Sequence, residues 1–326
     1  MQSGSCWSLL RSLVVAVALD RMAYSRSLAW EILRNSMSDQ QVVDWILRND
    51  VTLLFNELTD GFNGVTGRGI EALRRATEDA YARAKYMADL VEVISAVFEE
   101  EGVEYAVFKT FNRAGRIDVD VDVVVDKEVY WDVVRLLMDK GFKPVDDLAK
   151  TYATGFMQLG NPIVLDLHTE ITMLGLPYFN AELVLGNRVK TRHVLGGAEV
   201  ETYTVKPHVD AALRIAHAVI KEAEVRIDDV TEVLNALALN APGVEDIVGR
   251  SRSLRALYRV FMQALEAILV DLELPRKLSE ARRLEALADL VLSLGPRRAL
   301  EAFANLRYRR SAAMVGKALI HVATQS

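Results

Sequence analysis

Three aspartates stand at alternate positions in GRIDVDVDVVVD, residues 115–126. In an extended chain alternate side chains share a face, so Asp118, Asp120 and Asp122 project together while Val119, Val121 and Val123 point the other way. Like charges in a row repel, and strands are ordinarily poor in Asp, so something must compensate. Carboxylates two residues apart lie ~6.5 Å apart at a rise of ~3.3 Å per residue. At that separation both reach a shared hard cation such as Mg²⁺, which prefers oxygen ligands. A second segment, IVLDLHTE, offers Asp166, His168 and Glu170 with the same alternation. One acidic residue from it would complete a three-carboxylate metal site. The competing reading of both segments is a solvated strand face.

The elements that must position these groups fall into three zones. Apolar residues recur at helical spacing over Trp7–Arg34, Ser38–Leu58 and Gly69–Glu100, with Ser38 a cap for the second helix and DGFNGVTGRG a linker after it. That linker lacks the lysine and the preceding strand of a phosphate loop. From Glu104 the period changes to two. EYAVFK and IDVDVDVVV read as strands, followed by a helix over Lys127–Lys140 that Gly141 closes. TYATGFMQL and IVLDLHTEI flank a turn at Gly160-Asn161-Pro162, and RVKTRHVL and AEVETYTV flank Gly196-Gly197. This gives a largely antiparallel sheet of about six strands. Beyond Pro207 the pattern is helical to the end, with Pro242, Pro275 and Pro296 at helix boundaries.

In the order and spacing of its motifs the chain resembles the nucleotidyltransferase superfamily, the polymerase beta-like fold. Within it the likeness is to prokaryotic nucleotidyltransferase-like proteins that read LKG, SDIDLLV, a helix ending in GY or GF, and VDLHW. The matching pieces are VFKT (107–110), VDVDVVV (119–125), KGF (140–142) and LDLHT (165–169), with LRIAHAVIKEAEVRIDDVTEVL resembling a later helical segment. The resemblance implies an α+β fold, a helix-bearing mixed or antiparallel sheet flanked by helical regions. The resemblance covers about residues 95–240, and with the three zones it divides the chain into a helical region 1–95, a nucleotidyltransferase-like domain 96–205 and a helical bundle 206–326. It makes Asp120 and Asp122 metal-binding, with Asp166 as the third carboxylate and base, and leaves Asp118 solvated or beside the site. It also implies two Mg²⁺ ions and an NTP, ATP favoured. Lys109, Thr110, Arg113 and Arg116 would meet the phosphates, with ordinary loop surface the other reading of the two arginines, and His168 would either hydrogen-bond within the site or be a satisfied structural histidine. His208 and His217 read as helix residues. Where the superfamily carries Gly-Ser or Gly-Gly after the first strand, this chain has Lys109-Thr110-Phe111, which narrows the room for close backbone approach. A regulatory protein that keeps the fold without the activity, such as a toxin–antitoxin-like component, is the alternative.

Composition narrows the partners. The net charge of −6 argues against a protein that coats nucleic acid, but it hides an asymmetry. Residues 250–326 carry 14 Lys+Arg against 7 Asp+Glu. Arginine clusters there, with Tyr258 and Tyr308 among them, make RNA a candidate acceptor alongside a protein or small molecule. The single cysteine, Cys6, excludes a disulfide framework and fits a reducing cytosol, hence a cytoplasmic protein. The five histidines lack zinc-site spacing. The apolar run Leu13–Leu19 is far short of the ~20 residues of a membrane span, so it is expected to be a core helix.

Overall fold

The computed structural model describes residues 3–36, 40–63, 68–145, 153–173, 176–271, 274, 276–280 and 288. Five helices come first: α1 (Ser3–Ala18), α2 (Met22–Ser36), α3 (Gln40–Arg48), α4 (Thr52–Leu58) and α5 (Arg68–Glu100). Each of the first two long helices expected from periodicity is therefore a pair. The breaks fall at Asp20 and Asp50, whose φ values of 55° and 52° are left-handed. Asp tolerates that conformation better than most residues, so an acidic residue can turn a helix without glycine and without interrupting the apolar pattern. Ser38 and much of the glycine-rich linker lie outside the described residues.

The fold is α+β, around a mixed seven-stranded sheet. Its strands in chain order are β1 (Tyr105–Phe108), β2 (Asp120–Val125), β3 (Phe142–Pro144), β4 (Ala153–Gln158) and β5 (Val164–His168), with β8 (Arg188–Leu195) and β9 (Ala198–Val205) added later. In space the order is β3-β4-β5-β2-β1-β9-β8. Helix α6 (Tyr130–Asp139) joins β2 to β3 and ends at Gly141, whose φ of 88° suits a residue without a Cβ. β1 and β2 are antiparallel, whereas β2 and β5 run parallel, as do β1 and β9. Both expected hairpins form, β4–β5 and β8–β9. The second acidic segment does not stay in one strand. It breaks at Thr169, and Glu170 opens β6 (Glu170–Met173), which pairs with β7 (Leu176–Asn180) in a separate ribbon.

Beyond the sheet, α7 (Ala181–Leu185) precedes β8, and α8 (Pro207–His217) leads into one π-helical turn, Ala218–Glu222. A short pairing of β10 (Glu224–Val225) with β11 (Arg276–Lys277) interrupts the helical zone, in which α9 (Ile227–Gly249) and α10 (Arg252–Asp271) are the long members. Pro242 marks a break as expected: Asn240 leaves helical geometry at φ −159°, ψ 67°.

Alternation in β2 decides which layer meets which face. Val121, Val123 and Val125 pack with α5 and α6 in one core. Val124, with Ala106 and Phe108 of β1, packs into a second core that N-terminal helices share with α8, α9 and α10. Asp120 and Asp122 are on the Val124 side, so the acidic face opens between the sheet and that helical layer. Among the described residues no helix is long and apolar enough to cross a membrane.

Candidate active site

Strand register places the first pair of carboxylates. Asp122 of β2 stands directly opposite Asp166 of β5, and Val124 opposite His168. Side chains opposite one another in paired strands share a face, so two segments over forty residues apart form one acidic face. Asp122, Asp166 and His168 offer ligand atoms all within 4.8 Å of one another. The His168 Nε2–H donates to Asp122 Oδ1 at 3.0 Å and lies 3.3 Å from Asp166 Oδ2. The other Asp122 oxygen, Oδ2, is 2.9 Å from the Lys109 ammonium.

These partners divide the acidities. Burial alone would raise Asp122, but the Lys109 charge and the His168 hydrogen bond hold it well below the usual carboxylate range. Asp166, half-buried, is likewise lowered against the effect of burial, by His168. His168 reciprocates: against its burial, Asp166 and Asp122 push it up to about 9. Among the described residues no such cation contacts Asp120. Burial and the neighbouring Asp122 and Asp118 charges raise it to about 6. A carboxylate crowded in this way favours a cation.

The turn after β1 forms without glycine. Lys109 takes a φ of 58°, the left-handed conformation that glycine adopts freely. Helix α8 supplies the compensation. Asp210 Oδ1 accepts from the Lys109 backbone N–H at 2.9 Å, and Arg214 Nη2 donates to the carbonyls of Lys109 and Phe111 at 2.6 and 2.8 Å. His217 Nδ1 accepts from Lys109 Nζ at 3.0 Å. Residues 210, 214 and 217 follow helical i, i+4, i+7 spacing, so one face of α8 grips the turn. Thr110 is buried beside it, its hydroxyl donating to the Phe108 carbonyl at 3.3 Å.

Asp120 and Asp122 form part of the lining of a cleft of about 360 Å³, together with Lys109, Thr110, Arg116 and Lys221, whereas Asp166 and His168 stand behind Asp122 and do not line it. Arg116 pairs with Asp118 at 2.6 Å and lies 3.6 Å from Asp228. Asp118 is thus partly buried beside the site, not solvated. Arg113 is held elsewhere: it donates to Glu232 at 2.6 Å and does not line the cleft. His208 and His217 both lie on α8, yet His217 also lines the cleft.

The chain is similar to several solved structures, among them the following two. No protein-family model matches it, and no curated protein does. One structure is the antibiotic-resistance factor ANT(2'')-Ia, at 19% identity over 56% of this chain and 97% of that one, with a TM-score of 0.37. The other is an antigenic nucleotidyltransferase-like protein from Paracoccidioides brasiliensis, at 13% identity over 60% of this chain and 96% of that one, with a TM-score of 0.35.

Several cleft residues were not visible from the sequence. Asp50 and Arg83, from the α3–α4 break and α5, pair at 2.9 Å and form an N-terminal wall. Arg214, Lys221, Asp228 and Asp229 come from the helical zone. Their segment, LRIAHAVIKEAEVRIDDVTEVL, already carried a resemblance but no role for any of them; the further linear hints are the Asp-x-x-x-Arg-x-x-His spacing on α8 and the Asp228-Asp229 pair opening α9.

Asp229 gives a test of this wall. Burial, then the Asp228 charge, pushes its carboxyl up to about 8. A carboxyl raised in the fold contributes stability in full below its unfolded pKa of ~3.9, and loses it as pH rises through the folded value. Asp229→Asn retains an oxygen for the Arg226 N–H, which Asp229 accepts at 3.0 Å. Its Tm is expected to match the parent near pH 4 and to exceed it by a few degrees at pH 8. Equal Tm values at both pH values in thermal melts would count against this account.

Proposed function

We propose that this protein is a divalent-metal-dependent nucleotidyltransferase, in which an acceptor hydroxyl attacks the α-phosphate of an NTP, ATP favoured, takes up the nucleoside monophosphate and releases pyrophosphate. The observation that carries this reading is the acidic face of the sheet: Asp120 and Asp122 on one strand, with Asp166 in register on the parallel neighbour. The donor set suits Mg²⁺, since Asp120, Asp122 and Asp166 are hard oxygen ligands and crowding already raises Asp120. Two such ions, when bound, supply charge stabilisation for the attacking and leaving oxygens. Asp166 orients the acceptor hydroxyl and takes its proton. Lys109, Thr110 and Arg116, with Lys221 across the cleft, bind the phosphates. Arg113, committed to Glu232, steadies the loop. The acceptor is an RNA, a protein or a small molecule; most of the arginine clusters that bear on RNA lie outside the described residues.

A second reading, a binding or regulatory module on the same fold, is favoured by one feature. Both Asp122 oxygens already have protein cations beside them, Lys109 and His168. Incubation with labelled ATP, GTP, CTP and UTP, Mg²⁺, total RNA and cell extract separates the two readings. Mg²⁺-dependent transfer of label, with a Tm raised by Mg²⁺ plus ATP, is expected. No transfer and no Tm shift at millimolar Mg²⁺ plus ATP would leave the regulatory module.

A further inference from the structure

We propose that His217 is a positioning residue for Lys109: it fixes the ammonium between Asp122 and the cleft, and Glu222 in turn fixes His217. Lys109 stays within reach of the nucleotide's phosphates when a divalent cation displaces it from Asp122. This function of Lys109 rests on the nucleotidyl-transfer reading; the arrangement of the hydrogen bonds does not.

The direction of the chain follows from donor chemistry. A lysine ammonium only donates, so His217 Nδ1, 3.0 Å from Lys109 Nζ, must be the acceptor. The ring proton is then on Nε2, which faces Glu222 Oε1 at 3.1 Å. The second Glu222 oxygen accepts from Arg226 Nη2 at 2.9 Å. Lys109 completes the run by its 2.9 Å contact with Asp122 Oδ2. The resulting order, Arg226 to Glu222, His217, Lys109 and Asp122, links the N-terminus of α9 to the metal-binding strand. A histidine that merely fills space needs no such order at both nitrogens.

The backbone carries a second, separate sign. At 100° per residue, a side chain five positions on in an α-helix is turned ~140° away. Glu222 is five positions after His217 and nevertheless meets it, because Ala218–Glu222 form a π-helical turn. Such turns are rare and occur mainly as single-turn insertions, often at functional sites. The turn ends at Ala223, a non-glycine residue at φ 64°. It also sets Lys221 on the cleft wall. The irregular backbone thus accomplishes what a continued α8 could not.

The test has a spectroscopic and a kinetic arm, both on the full chain. Long-range ¹H–¹⁵N NMR, with His217 assigned through His217→Asn, is expected to show a neutral ring at pH 7 protonated on Nε2. An Nδ1–H tautomer or an imidazolium overturns the proposal, whatever the protein's activity. In the kinetic arm, His217→Leu is expected to lower kcat/KM for Mg²⁺·ATP ~10-fold, the scale of one lost charge-assisted hydrogen bond, with the acceptor KM unchanged. His217→Asn, whose side-chain oxygen can take the place of Nδ1, is expected to recover most of that loss. Equal losses in the two variants would reduce His217 to packing and overturn the proposal. If the parent transfers no nucleotide with any NTP, the functional reading fails and the NMR spectrum still decides the orientation of His217. If His217→Leu does not fold, the spectrum and the Asn variant carry the test.

Discussion

Asp122→Asn is expected to remove the proposed Mg²⁺-dependent nucleotidyl transfer, with a loss of ~10³-fold or more, the scale of deleting one preorganised charge at a reacting centre. The residue is nearly buried, opposite Asp166, and its two oxygens face different cations, Lys109 and His168. An amide presents one oxygen and one N–H₂ group, so it satisfies one of those donors and opposes the other. Ion binding and local charge balance therefore fail together. The substitution also removes a carboxylate that helps keep His168 charged, so the His168 pKa should fall from about 9. Asp120→Asn should share the loss of transfer without disturbing His168, because His168 contacts Asp122 and Asp166 and not Asp120. Asp118→Asn should cost far less, since the Asp118 carboxylate pairs with Arg116 and acts on the phosphates only through it. Initial rates with labelled ATP, alongside calorimetric Mg²⁺ titration, measure each case. Transfer that survives both Asp120→Asn and Asp122→Asn would remove the site assignment.

How much of this site was legible in the sequence depends on how local each cause is. The period-two run around Asp120 and Asp122 is a local signal, and β2 starts at Asp120 with Asp118 just before it. Both hairpins follow from turn residues that lie between their strands. Glu170 defeated the same logic: alternation alone cannot show that β5 stops at His168 and that the next residues pair elsewhere. The Lys109 turn shows the limit most clearly. By local preference a left-handed residue after β1 should be glycine, and its absence looked like an obstacle to nucleotide binding. The missing compensation comes from Asp210, Arg214 and His217, about a hundred positions later. Asp50 is similar: apolar periodicity runs through the α3–α4 break, and only the folded chain shows that the turned residue meets Arg83. Residues defined by their own spacing were readable, whereas those defined by a partner on a distant element were not.

Arg214→Leu is expected to destabilise the fold by ~3–5 kcal/mol, the cost of breaking a buried ion pair from one side. Arg214 is 1% exposed, among the most fully enclosed large side chains described. Its Nε meets Asp210 Oδ2 at 2.8 Å and Nη1 meets Asp228 Oδ2 at 3.3 Å, while Nη2 serves the Lys109 and Phe111 carbonyls. Among the described residues, leucine would leave half-buried Asp210 with only the Lys109 N–H and buried Asp228 with only the more distant Arg116. Asp228 already has one buried oxygen, Oδ1, without a hydrogen-bond partner, so it has little capacity for a further loss. Lysine would restore the charge but not the geometry, because a single ammonium cannot span four acceptors that a planar guanidinium reaches at once. Arg214→Lys should therefore fall between the parent and Arg214→Leu in stability, while losing transfer more than its stability implies. The reason is the Lys109 turn: a left-handed non-glycine residue persists only while its surroundings hold it there, and Arg214 binds the two carbonyls that define the turn. Urea unfolding of the three proteins measures the first effect, and rates under conditions where all three are folded measure the second. An Arg214→Leu protein within ~1 kcal/mol of the parent, the range of ordinary surface changes and mild substitutions, would mean that the buried network around α8 does not hold the site together.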